Sequence, residues 1–307
     1  RVMPASGPTP QPPASPSGKG PVFVRRLAST LALWGLVAAA IIAGNHWLFY
    51  LLLGFLGLAS VREFIAMDPS VPSPWRFLLL AAAIAWTAGT FTITARTGHE
   101  WDPLVDLAFA AATVMAAFLP TLFRPIEGRA TLWAIIWTVF GFFYIPWLWG
   151  FMTRLLFLHG FTPDGRLAGV PSILFVVAVT KMTDAGAYAI GSLIGKHKMI
   201  PHISPGKTWE GLLGAFAGAL AAGVAVRAIY GPALPLASTQ SLIIACLILA
   251  GVCIVGDLAE SVVKRSLAIK DSGAILPGIG GALDLIDSLL WTAPVFYFLL
   301  KYVLPTA

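Results

Sequence analysis

The sequence predicts an all-α fold: a polytopic integral membrane bundle of about nine transmembrane helices, its N-terminus cytoplasmic. Three observations carry that prediction. Of 307 residues, 58% are hydrophobic and only 11% are charged, whereas soluble domains carry about 25% charged residues. Apolar runs of about 20 residues recur along the chain, long enough to cross a hydrocarbon core as helix. The runs are continuously apolar and do not alternate, which favours helices over a β-barrel.

Residues 1–22 are rich in Pro, Ser and Gly without apolar periodicity. They are expected to be a disordered tail, too polar for a secretory leader. Residues 23–307 are expected to form one membrane-embedded domain with no separate soluble part. Arg25 and Arg26 precede the first run, 27–43, and Gly44-Asn45-His46 turns into the second, 47–64. A Pro-rich loop, 68–74, leads to 75–95. Runs at 103–122, 130–150 (with an apolar extension to 158), 169–194, 208–230, 238–255 and 285–304 complete the set. A polar loop with no strand is expected at 195–205. Trp47, Trp75, Trp101 and Trp147 fit an aromatic belt at the membrane interfaces. Cys246 and Cys253 share one apolar run and read as packing residues, with no disulfide framework.

The basic residues orient the bundle. With nine spans, 14 of the 20 Lys and Arg fall in loops on the N-terminal side and five on the other, with Lys181 inside a span. This asymmetry obeys the positive-inside rule and puts 195–207 and 257–283 on one cytoplasmic face. The net charge of +6 therefore reads as topology, and no nucleic-acid partner is expected. Half of the 14 acidic residues, Asp184, Glu210, Asp257, Glu260, Asp271, Asp284 and Asp287, lie on this same side of the last four spans. The outer half of the spans is expected to carry no comparable charge, which disfavours a transporter.

Charge is densest in 256–288. Asp257, Glu260, Ser261 and Lys264 recur at helical spacing and share a face, as do Asp284 and Asp287. Between them, Pro277-Gly278-Ile279-Gly280-Gly281 cannot continue a helix and lets a ligand approach the backbone. Two carboxylate pairs flanking such a turn, with Lys264, Arg265 and Lys270 between, suit a Mg²⁺–phosphate site. Carboxylates converging beside lipid repel one another unless a cation sits among them. A second stretch carries Lys181 and Asp184 on one helix face, then Lys196, Lys198 and Lys207. Lys196, Lys198 and Lys207 also fit attraction to anionic lipid at the inner leaflet. Gly206-Lys207-Thr208 is no P-loop, because the position needing glycine is Pro201.

At these residues the chain resembles the phosphatidate cytidylyltransferase family, also called CDP-diacylglycerol synthases. That family's signature is a Ser, then Lys-Arg, Lys-Asp, a Pro-Gly-His-Gly-Gly turn and Leu-Asp-Arg-x-Asp. Ser261, Lys264, Arg265, Lys270, Asp271, Pro277, Gly278, Gly280, Gly281, Leu283, Asp284 and Asp287 match it in order and spacing. Asp184 to Tyr188, Gly195 to Lys198 and Ser204 to Gly211 are also similar. Two positions depart: the family's His is Ile279, and its Arg is Leu285.

The resemblance implies a Mg²⁺-dependent reaction of CTP with phosphatidate, giving CDP-diacylglycerol and pyrophosphate. It implies metal ligands at Asp257, Asp284, Asp287 and Glu260, and catalytic roles for Lys264, Arg265, Lys270, Asp271 and Asp184. It implies substrate contacts from Lys181, Lys207, Ser261, Gly278, Gly280 and Gly281. The expected partners are CTP, phosphatidate and membrane lipid, with a homodimer allowed. The expected location is a bacterial inner membrane, with the site facing the cytoplasm. Ile279 and Leu285 also motivate another reading, a degenerate member that binds lipid or nucleotide without turnover.

Overall fold

The computed structural model describes residues 46–304 apart from 164, 274 and 276–279, together with residue 35. The expected tail, the first run 27–43 apart from residue 35, and Pro277, Gly278 and Ile279 lie outside the described residues. Helix α1 is His46–Met67, α2 is Ser73–Thr97, and α3 is Pro103–Phe118 with a 3₁₀ turn after it, Leu119–Leu122. Helix α4 (Arg129–Phe142) passes through a π-helical turn, Phe143–Trp147, into α5 (Leu148–Phe157). Then come α6 (Val170–Ile194), β1 (Lys198–Ile200), β2 (Ser204–Thr208), α7 (Trp209–Tyr230), α8 (Thr239–Ser266) and α9 (Ala282–Phe298). A second π turn, Leu299–Val303, extends α9. Among the described residues, eight helical segments are long and apolar enough to cross a membrane, counting α4 to α5 as one. The chain is a polytopic helical membrane protein.

The first π turn has a local cause. Pro146 lies inside it and lacks the N–H that an α-helix needs there. The indole of Trp86 donates to the Pro146 carbonyl at 2.7 Å, so the irregular backbone stays satisfied in an apolar setting. Among the described spans, α1 and α9 are the most enclosed, each 67% buried, whereas the α3 span, at 11%, faces outward. Two of the tryptophans expected in the aromatic belt are core residues instead. Trp75 and Trp101 are 3% and 1% exposed, and Trp75 donates to the Ala117 carbonyl at 2.9 Å. Sequence cannot separate a belt from a core indole, since both need one polar partner. Beyond Met67, partial burial pushes the Asp68 carboxyl upward. Hydrogen bonds from Ser70 and Trp133 and the Arg76 charge outweigh that, holding it below its ordinary value.

Helices α6 and α7 approach closely because glycine lines their contact. A Cβ at Gly214 would lie 2.6 Å from the Ile190 Cβ and collide with the Gly186 carbonyl; one at Gly218 would collide with the Met182 carbonyl. Small residues are what permit such contact between membrane helices. The segment expected as a strand-free loop is an antiparallel hairpin, with Lys198 opposite Thr208 and Ile200 opposite Ser204. Its strands of three and five residues are too short for a period-two signal. Helix α8 runs past the apolar limit at 255 to Ser266, because its charged last turns can emerge from lipid without breaking the helix.

The half of the bundle expected to face outward carries a charged cluster of its own, against the expectation of no comparable charge there. Arg154, only 2% exposed, donates to Asp106, to Glu100 at 3.4 Å and to the Trp101 carbonyl at 3.2 Å. Lys301 pairs with Glu100, and Tyr297 donates to Glu100 at 2.5 Å. The group is two acids and two bases, closed on itself. It ties the α2–α3 turn to α5 and to the end of α9, and it sits at one end of the bundle instead of along a path. Arg154→Leu leaves Asp106 without its cation and is expected to destabilise by about 3–5 kcal/mol. Thermal unfolding in detergent checks this; an unchanged midpoint would make the network incidental.

Candidate active site

Helices α8 and α9 meet with their acidic faces together. Carboxylate oxygens of Asp257, Glu260 and Asp287 all lie within 4.8 Å of one another. Lys264, one turn beyond Glu260, bridges the two helices: its Nζ is 2.9 Å from Glu260 Oε2 and 2.8 Å from Asp284 Oδ1. From the hairpin, Lys207 reaches Asp257 Oδ2 at 2.8 Å and the Ile254 carbonyl at 3.1 Å. From α6, Lys181 donates to the Leu285 carbonyl at 2.7 Å. Asp184, one turn further, accepts the Cys253 thiol at 3.3 Å. Lys181 and Asp184 therefore share a face but each has its own partner across the bundle.

Local chain chemistry sets these positions. Thr208 caps α7 by accepting from the Gly211 N–H at 3.1 Å, which fixes the hairpin against the helix start. Gly280 has φ 123°, a backbone region that disfavours L side chains. The next N–H, of Gly281, donates to Asp284 Oδ2 at 3.1 Å. Asp284 is thus held at both oxygens, by the helix start and by Lys264.

A cleft of about 590 Å³ opens along this face, lined by α6, the hairpin, the first turn of α7, α8 and α9. Asp184, Lys198, Lys207, Asp257, Asp284, Asp287 and Ser288 line it. Five carboxylates, Asp184, Asp257, Glu260, Asp284 and Asp287, meet four ammonium groups, Lys181, Lys198, Lys207 and Lys264. One oxygen of Glu260, Oε1, and the Ser288 hydroxyl are buried with no hydrogen-bond partner among the described residues. Excess carboxylate and unpartnered oxygen at one place fit a hard divalent cation.

The predicted residues divide by position. Asp184, Lys207, Asp257, Asp284 and Asp287 share the cleft; Glu260, Lys264 and Lys181 adjoin it through the contacts above. Asp284 is not in the three-carboxylate cluster; Lys264 joins it to Glu260. Arg265, Lys270 and Asp271 are exposed on the outgoing chain and do not line the cleft. Arg265 donates only to the Ile269 carbonyl, at 3.4 Å, among the described residues. Ser261 is half-buried beside Glu260, and Gly278 lies outside the described residues. Two residues of the site were not expected there: Cys253, read as packing, donates to Asp184, and Ser288 lines the cleft. Ser288 lies within one residue of Asp287; Cys253 had no local signal.

Helical membrane spans with an acidic, lysine-bridged cleft at one end define a membrane protein equipped to handle phosphate groups. The chain belongs to the cytidylyltransferase family, whose sequence pattern matches residues 24–303. It is 33% identical over 276 residues to the uncharacterized protein YnbB of Escherichia coli K12, covering 88% of this chain and 85% of that one. It is 28% identical over 283 residues to a phosphatidate cytidylyltransferase of Staphylococcus epidermidis, covering 90% and 98%. A phosphatidate cytidylyltransferase of Bacillus subtilis is 42% identical over 134 residues, covering 43% and 48%.

Proposed function

We propose that the chain transfers the cytidylyl group of CTP to phosphatidate, forming CDP-diacylglycerol and pyrophosphate at the cytoplasmic face of a bacterial inner membrane. The observation that carries this is the union of Asp257, Glu260 and Asp287 with Lys207 and Lys264 beside one cleft. A phosphate oxygen of phosphatidate forms a bond to the α-phosphorus of CTP. The bond from that phosphorus to pyrophosphate breaks, and pyrophosphate leaves with the electron pair. Both reactants are anions, so positioning and charge compensation dominate the barrier. Asp257, Glu260 and Asp287 would hold Mg²⁺, with Asp284 beside them. Bound there, the ion would neutralise charge on the triphosphate. Lys207, Lys264 and Lys181 would supply ammonium groups to the reacting phosphates. The lipid tails stay in the membrane while the head group enters the cleft.

Radiolabelled CTP with phosphatidate, with and without Mg²⁺, tests the reading: label must enter lipid. A second reading, binding without turnover, rests on Ile279 and Leu285. Leu285 packs partly buried against the core, and Lys181 already brings an ammonium to its carbonyl. The Ile279→His, Leu285→Arg double variant is therefore expected to gain less than about tenfold in rate. Silence from the unmodified protein with strong activity in the double variant would favour the second reading. Orientation has its own test. An impermeant thiol reagent outside intact cells is expected to miss a cysteine placed at 198 or 272; labelling there would invert the topology.

A further inference from the structure

One buried carboxylate takes no part in the cleft. Glu63, near the end of α1, is only 3% exposed. Its Oε2 accepts the Leu283 N–H at 2.9 Å and its Oε1 accepts the Ile275 N–H at 3.3 Å. The chain entering α9 is pressed against it. A Cβ at Gly273 would collide with the carboxylate, and one at Gly281 would lie 2.8 Å from Oε2 and 2.8 Å from Asp284 Oδ2. Glycine at these places is what lets the backbone reach Glu63.

The first N–H groups of a helix have no partner within it, and the helix dipole favours negative charge there. Asp284 serves Gly281 locally, while Glu63 serves Leu283 from a different span. The start of α9 is therefore pinned to α1 as well as to itself. That start carries Asp284, and Asp287 follows one turn on, facing Asp257 and Glu260 of α8. Burying a carboxylate is costly, and a local Ser or Thr could cap a helix without it. Glu63 offers one oxygen to the Ile275 N–H and the other to the Leu283 N–H, on either side of the Gly-rich stretch.

We propose that Glu63 is a positioning residue for cytidylyl transfer: it anchors Ile275 and the start of α9 at Leu283 so that Asp284 and Asp287 meet the carboxylates of α8. The inference rests on the proposed reaction. Glu63→Gln keeps the size and one acceptor but turns an N–H toward a backbone donor; Glu63→Ala removes both acceptors. Three readouts on the full-length protein in nanodiscs separate the possibilities: the thermal midpoint, amide hydrogen exchange over 275–285, and steady-state kinetics with CTP and phosphatidate. In Glu63→Gln the midpoint should stay near wild type, while the first α9 amides exchange about tenfold faster. Its kcat should fall about tenfold with the KM for CTP changed less than about twofold, and Glu63→Ala should fall further. Unchanged exchange, or unchanged kcat, overturns the proposal. So does a loss seen only as a lower midpoint and a smaller active fraction, since that marks a merely structural residue. If wild type makes no CDP-lipid, the proposed reaction fails first, and exchange still reports whether the anchor exists.

Discussion

Asp257→Asn and Asp287→Asn are each expected to lower turnover at least about a hundredfold while leaving a folded protein. The two carboxylates lie on different helices, yet their oxygens share one cluster with Glu260. Each substitution keeps the side-chain size and removes one negative charge from the place where triphosphate charge must be offset. Loss of a charge-assisted contact alone accounts for about 1.5–3 kcal/mol. Losing a ligand of the proposed Mg²⁺ would add to that. The Mg²⁺ concentration needed for half-maximal activity should rise in parallel, which a folding defect would not produce. Asp284→Asn tests a different contact, because Asp284 is held by Lys264 and by the Gly281 N–H. Its loss should also abolish most turnover, through the start of α9. Wild-type rates in either Asp257→Asn or Asp287→Asn at limiting Mg²⁺ would remove that residue from the proposed site.

The spans were legible because apolar length is a local property, and the carboxylate pairs were legible because each repeats at helical spacing on its own helix. Which pairs meet was not. Sequence placed Asp284 with the metal ligands on equal terms, whereas Lys264 stands between it and Glu260. Glu63 was invisible for the same reason: its partner at Leu283 is 220 residues away, and a single acid at the end of a span carries no pattern. Arg154 and Lys301 read as loop charges that set topology. In the fold they are members of a closed network, and only the packing of α5 against α9 reveals it. The hairpin carrying Lys207 failed a strand test because its strands hold Pro205 and Gly206 and no apolar alternation. Charge type and spacing survive translation into structure; partner choice across helices depends on packing that spacing does not encode.

Lys264→Met is expected to cost both stability and turnover, and the two losses should respond differently to rescue. The ammonium sits 2.9 Å from Glu260 and 2.8 Å from Asp284, and Glu260 is only 1% exposed. Removing one member of a buried ion pair leaves an uncompensated charge, typically a loss of about 3–5 kcal/mol. Here the orphaned Glu260 also faces Asp257 and Asp287, so repulsion adds to desolvation. Two rescues follow. Saturating Mg²⁺ should raise the thermal midpoint of Lys264→Met more than that of wild type, because a bound cation replaces the missing charge. Glu260→Gln added to Lys264→Met should recover much of the stability by removing the orphan, a coupling that a double-mutant cycle reads directly. Neither rescue should restore turnover to within about tenfold of wild type, since Asp284 stays unbridged and one cation is missing beside the phosphates. A Lys264→Met protein with wild-type midpoint and rate would mean that Lys264 only covers the carboxylates. Lost stability that Glu260→Gln fails to recover would mean that the lysine acts through Asp284 alone.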